Sequence, residues 1–161
     1  MLSFATSRIV HTALNRQLGP WFRERGWIRR KGSICAYLWI NRTSGQNWMF
    51  WIQCSAWGSK DRGSKFTANL PKVNASGSNY SSCRFLGQTL TDTYFAEAHA
   101  IASRIAERNR KSQIVMIYAD VWERKFDIWF PYYSSQDVDD WGAYLRERLP
   151  QLTAKCYEHA A

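Results

Sequence analysis

Three histidines, four cysteines and a short run of aspartates are the residues of this 161-residue chain whose types could do covalent or metal chemistry. His11, His99 and His159 stand apart from one another, and a general base works only with a partner in hydrogen-bond reach. No pattern in the chain pairs any of them. His11 and His99 fall on predicted helices and His159 near the end of the chain, positions that structural or surface roles explain. Asp137, Asp139 and Asp140 have the composition of a metal cluster. They also open a predicted helix, where acidic groups offset the positive end of the dipole, and that alone accounts for their position. Cys35, Cys54, Cys83 and Cys156 are widely spaced, with no C-x-x-C and no histidine at ligand spacing. Three of them sit in apolar patterns as small hydrophobes. Only Cys83, beside Arg84, has the electropositive setting that a nucleophilic thiolate needs. There is no P-loop and no G-x-G-x-x-G, and Gly58–Lys65 (GSKDRGSK) reads as a hairpin turn. Catalytic residues, metal ligands and cofactors are therefore not expected.

Binding is the stronger signal. The net charge of +9 is uneven: residues 1–72 hold 12 basic and 2 acidic side chains, whereas residues 73–161 hold 10 and 11. The positive field of the first half favours an acidic protein, nucleic acid or anionic lipid. Nine tryptophans accompany it; they either fill a core or anchor a contact surface, where Trp and Arg are enriched. No apolar run approaches membrane-spanning length and no secretory signal pattern is evident. Membrane insertion is not expected, and the cytoplasm is the default location.

The elements that position these residues follow from periodicity. Ile9, Val10, Ala13, Leu14, Leu18, Trp21 and Phe22 recur at three- and four-residue steps, an amphipathic helix that Gly19-Pro20 should kink and Gly26 should close. Two strands follow, Ile34–Ile40 and Trp48–Cys54, joined by NRTSGQ. Pairing Leu38 with Phe50 puts the aliphatic residues of both on one face. A third strand, SKFTANLPKV, adds Phe66, Ala68 and Leu70 to that face. Residues 73–92 are rich in Ser, Gly and Asn and read as a long loop. Asp92 or Thr93 caps a helix burying Tyr94, Ala98, Ile101, Ala102 and Ile105. QIVMIYADV and KFDIWFPYY form a second hairpin. Ser134 and Asp137 make a capping box for a last helix with Val138, Trp141, Leu145, Leu149, Leu152 and Cys156 inward. The expectation is one α+β domain over residues 1–161: an antiparallel sheet built from hairpins, with helices on one face, in the order α-β-β-β-loop-α-β-β-α.

That register leaves Tyr37, Trp39, Trp51, Trp57, Gln53, Lys65, Thr67 and Asn69 on the other face of the sheet. Arg29, Arg30, Lys31, Lys60 and Arg62 border it. A second helical layer would turn the aromatics into core. Left open, the face suits either of two ligands: a single-stranded nucleic acid whose bases stack on the rings, or a protein held by Trp and Arg anchors.

The stretch RGWIRRKGS, the Trp-rich strand ending WIQCSAWGS and the segment KFTANL resemble a bacterial family of unknown function. Its members carry a G-F-x-K-K-G step, a Q-x-S and an F-T-x-N-L strand. Gly26, Trp27, Arg30, Lys31, Gly32, Gln53, Ser55, Phe66, Thr67, Asn69 and Leu70 supply the matches, with Trp27 in place of Phe and the basic pair shifted. The resemblance implies a fold and a bacterial source more than a function; small bacterial domains of this kind often accompany toxin or defence genes, which favours partner binding. An acidic protein is the expected partner and nucleic acid the alternative.

Overall fold

In the computed structural model, residues 5–32, 34–73, 92–112, 118–119 and 127–159 are described. The expected long loop, including Cys83, and much of the second hairpin lie outside them. Helix α1 spans Ser7–Glu24. It runs through Gly19-Pro20 unbroken, because its buried stripe of Val10, Leu14, Leu18, Trp21 and Phe22 continues across that point. Gly26 closes it in the left-handed conformation (φ +81°), its N–H donating to the Arg23 carbonyl.

Strands β1 (Ile28–Arg29), β2 (Ala36–Ile40), β3 (Asn47–Cys54), β4 (Ser64–Asn69) and β5 (Lys72–Val73) follow, and all pair antiparallel. β5 continues the β4 register along β3 after Pro71, which has no N–H to give the ladder; Met49 N–H still donates to the Pro71 carbonyl at 3.1 Å. The expected third strand is thus one strand interrupted at its proline. Helix α2 (Asp92–Arg108) buries Ala98, Ile101, Ala102 and Ile105. β6 (Tyr118–Ala119) and β7 (Asp127–Ile128) pair with each other, while β8 (Phe130–Tyr132) joins the main sheet beside β4. Helix α3 (Ser135–Leu152) and a 3-10 helix (Ala154–Tyr157) complete the order.

The architecture is α+β, with all three helices contributing to the core on one face of a six-stranded sheet ordered β1-β2-β3-β4-β8, with β5 as the sixth strand, paired to β3 beyond the end of β4. Val138, Trp141, Leu145 and Leu149 of α3 pack there with α1, and α1 and α3 approach closely at Gly142, where a Cβ would lie 2.9 Å from Gln17 Cγ. Asp137 is fully buried at the start of α3. Its carboxylate accepts from the Tyr133 and Ser134 N–H groups, Asn109 Nδ2 and Arg108, which tethers the end of α2.

One expectation is corrected. Phe50 pairs with Tyr37, and Leu38 with Met49. The six-residue connection Asn41–Gln46 decides this: Asn41 Oδ1 accepts from Thr43 and Ser44 N–H at 3.1 Å each, and Gly45 takes φ +70° to return its N–H to the Asn41 carbonyl. The helix-facing set is therefore Cys35, Tyr37, Trp39, Trp48, Phe50, Ile52, Phe66, Ala68 and Leu70. Leu38, though buried, lies on the opposite face with Met49, Val73 and the half-buried Trp51.

Candidate functional site

β2 begins at Ala36 opposite Trp51, and β3 runs three residues further before it turns. The β1–β2 connection (residues 30–35) and the β3–β4 connection (55–63) consequently leave the sheet at the same end. That end gathers Arg29, Arg30 and Lys31 from one turn and Lys60 and Arg62 from the other, all exposed. Lys65, at the start of β4, holds its ammonium 5.1 Å from the Trp129 ring centre. α1 also starts here, because His11 in its second turn bonds to Cys35, and its first turn has no acidic residue to offset the dipole. From Arg25 to Lys60 the chain has no aspartate or glutamate. Arg29, Arg30, Lys31 and Arg62 form no salt bridge or side-chain hydrogen bond among the described residues. Asp61 lies between Lys60 and Arg62, and β8 leads into α3 at the same end, where Asp137 and Asp140 pair with Arg108 and Asp139 with Arg16; the potential around Arg29, Arg30 and Lys31 is positive.

The β3–β4 connection is built rather than slack. Beyond Ser55, whose N–H donates to the Lys65 carbonyl, the four steps to Ser59 face only two from Lys65 to Gly63. The two surplus residues bulge outward and carry Trp57, which is 85% exposed. Ser59 and Gly63 exchange backbone hydrogen bonds of 3.1 and 2.7 Å. Ser55 Oγ accepts from the Trp57 N–H, and Ser64 Oγ donates to the Trp57 carbonyl at 2.9 Å. Lys111 Nζ, just beyond α2, donates to the Asp61 carbonyl at 2.6 Å. Gly63 sits at φ +68° so close to β8 that a Cβ would meet the Tyr132 carbonyl oxygen at 2.7 Å. Sequence reasoning missed Lys111 and the start of α1, which only the tertiary fold brings to this end.

The aromatic sheet face proposed from the sequence does not assemble. Tyr37 is fully buried beneath α1, stacked on Phe22 with ring centres 4.4 Å apart, and its hydroxyl donates to Asn15 Oδ1 at 2.7 Å. Burial pushes its pKa up to about 12. Trp39 packs on the same side between Trp27 and Tyr157, its indole N–H donating to the Cys156 carbonyl. The cause is the one-residue register difference, which turns both rings inward. Trp51 does occupy the opposite face, next to Asn69, which is fully buried with neither side-chain atom hydrogen-bonded among the described residues. The sequence-derived site thus divides: Arg29, Arg30, Lys31, Trp57, Lys60, Arg62 and Lys65 share the basic end, whereas Tyr37, Trp39, Trp51 and Asn69 belong to the interior or to mid-sheet.

One histidine does find a partner that no spacing announced. His11 Nε2 lies 3.7 Å from Cys54 Sγ, while Nδ1 accepts the Cys35 N–H at 3.1 Å. Because Nδ1 is an acceptor, the neutral ring carries its proton on Nε2, directed at the sulfur. It has no lone pair there to receive the thiol proton. Burial lowers the His11 pKa and pushes that of Cys54 up to about 11, so both charged forms of a thiolate–imidazolium pair are disfavoured. In this arrangement the pair serves structure: it fastens α1 to the sheet. Among the described residues no group of three or more His, Cys, Asp or Glu side chains is placed to hold a metal ion, and no helix is long and apolar enough to cross a membrane. Compared with profiles of protein families, with curated proteins and with solved structures, the chain matches none.

Proposed function

We propose that this chain is a non-catalytic protein-binding module that takes an acidic protein surface at its basic end. The observation that carries the reading is the convergence of two connections, far apart in sequence, at one end of the sheet, where Arg29, Arg30, Lys31, Lys60 and Arg62 outnumber the one carboxylate of those turns, Asp61. Such a patch raises the encounter rate with an acidic partner and fixes its orientation. The inward position of Tyr37 and Trp39 removes two of the four rings that a base-stacking platform would need, which favours protein over single-stranded nucleic acid. A role as an immunity or defence accessory fits this reading and rests on the family resemblance alone.

The test is capture by the tagged chain from extract of its native host, with and without nuclease, beside a variant in which Arg29, Arg30 and Lys31 are all changed to Glu. A nuclease-resistant protein partner is expected, lost on charge reversal, with an association rate that falls as salt rises. Capture abolished by nuclease, or untouched by the charge reversal, contradicts the reading.

A further inference from the structure

We infer that Trp57 is the anchor of this interface, a rigid plug for an apolar pocket lined by carboxylates on the partner. The inference rests on the proposed function and narrows it to one side chain and one pocket chemistry. An indole 85% exposed leaves a large apolar surface in water, whereas three other tryptophans turn inward and find acceptors: Trp141 Nε1 donates to the Pro131 carbonyl, Trp27 Nε1 to the Tyr157 hydroxyl, Trp39 Nε1 to the Cys156 carbonyl. The Trp57 indole N–H has no hydrogen-bond partner among the described residues.

The turn that exports it is held on several sides. The Ser55 and Ser64 hydroxyls fix the Trp57 backbone, the Ser59–Gly63 bridge closes the loop, and Lys111 grips its tip. Gly58 adds a second close approach, since a Cβ there would lie 2.6 Å from Ser64 Cβ. Ordering of an interface loop costs affinity when it happens on binding, and here the turn is already ordered. A large aromatic presented on a pre-formed support is the usual form of an interface hot spot. The flanking Lys60 and Arg62 set the chemistry of the rim, and the unpaired indole N–H asks for an acceptor; carboxylates satisfy both. Self-association through this end would set each cationic turn against its own copy, so the occupant is a different, acidic chain.

Two soluble probes separate the apolar plug from the charge: poly-glutamate and a random copolymer of glutamate and tyrosine. They are titrated against the full chain, Trp57→Ala, and the double variant Lys60→Glu, Arg62→Glu. A mixed-sequence oligonucleotide and phosphatidylserine vesicles complete the set. The wild-type chain is expected to bind the copolymer at least tenfold more tightly than poly-glutamate. Trp57→Ala should erase that preference, weaken poly-glutamate far less than the copolymer and leave the thermal midpoint unchanged, and the double charge reversal should weaken both polymers. Poly-glutamate binding with a copolymer preference indifferent to Trp57 overturns this inference and leaves the basic-end reading intact. Binding of neither polymer contradicts both. A Trp57-dependent affinity for the oligonucleotide or the vesicles that exceeds the one for the copolymer overturns the assignment to an acidic protein.

Discussion

The two connections at opposite ends of β3 are alike in construction and opposite in use. At one end, Asn41 is 3% exposed and spends its whole amide: Oδ1 organises the turn, and Nδ2 donates to the Cys156 and Glu158 carbonyls at 3.3 and 3.0 Å. The Trp39 and Trp27 indoles next to it are tied to the same C-terminal 3-10 helix. At the other end the backbone is equally well bonded, yet Trp57 and the cations around it face outward. The first connection fastens the fold to its own terminus. The second is rigid and presents Trp57 to solvent, and a rigid turn with an exposed aromatic is suited to holding another molecule.

The comparison breaks in graded ways. The largest effect is expected inside. Phe22 is fully buried with aromatic neighbours Trp21, Trp27, Tyr37 and Phe50 at centroid distances of 4.4 to 5.2 Å. Phe22→Ala should cost roughly 3–5 kcal/mol in chemical denaturation, the usual price of truncating a buried aromatic. Asn41→Ala comes next, at about 1–3 kcal/mol, because the Thr43 and Ser44 N–H groups lose their acceptor, the Glu158 carbonyl loses the Asn41 donor and the Cys156 carbonyl keeps only Trp39. Binding at the basic end should survive it in the protein that remains folded. If Asn41→Ala instead abolishes binding with the fold intact, the division of labour between the two ends is wrong.

The smallest effect is that of pH, through His11. Burial lowers its pKa from the ordinary 6.5, so the unfolded chain binds the proton more readily than the folded one. The stability contributed by the neutral ring is fully present above about 6.5. It should decline as the pH falls below that value, and His11→Gln should flatten this part of the profile. An unchanged slope in His11→Gln between pH 7 and 5 (roughly one to two units around the free-histidine value) would show that the ring titrates normally.

How much of this could be read beforehand depended on how one-sided each strand is. β4 was legible because only one parity is apolar, Phe66 and Ala68 against Lys65, Thr67 and Asn69, and the three helices were legible from their stripes. β2 was not. Cys35, Tyr37 and Trp39 compete with Ala36, Leu38 and Ile40, and both sets are apolar, so hydrophobicity cannot choose a face. The Asn41–Gln46 turn and the aromatic surface of α1 make that choice, and one residue of slip moved Tyr37 and Trp39 from the expected binding face into the core. Ile34–Ile40 was also expected as one strand, whereas Ile34 lies before β2 and is half exposed. The basic residues were visible as a cluster in sequence, but their meeting at one end needed the strand pairing. Pattern alone puts Trp57 on the open face as one of three tryptophans, with Trp39 and Trp51, and only the bulge at the end of β3 sets it apart from them.

The central claim is that this chain meets its partner at the basic end. Backbone amide shifts of the isotope-labelled protein, followed as the captured host partner is added, test it most directly. The expected changes cluster at Arg29–Lys31 and at Trp57–Lys65, with Asn41–Gln46 and the C-terminal 3-10 helix unmoved. Changes centred instead on the outer surface of α1 and α3, or on Asn41 and its surroundings, would contradict it.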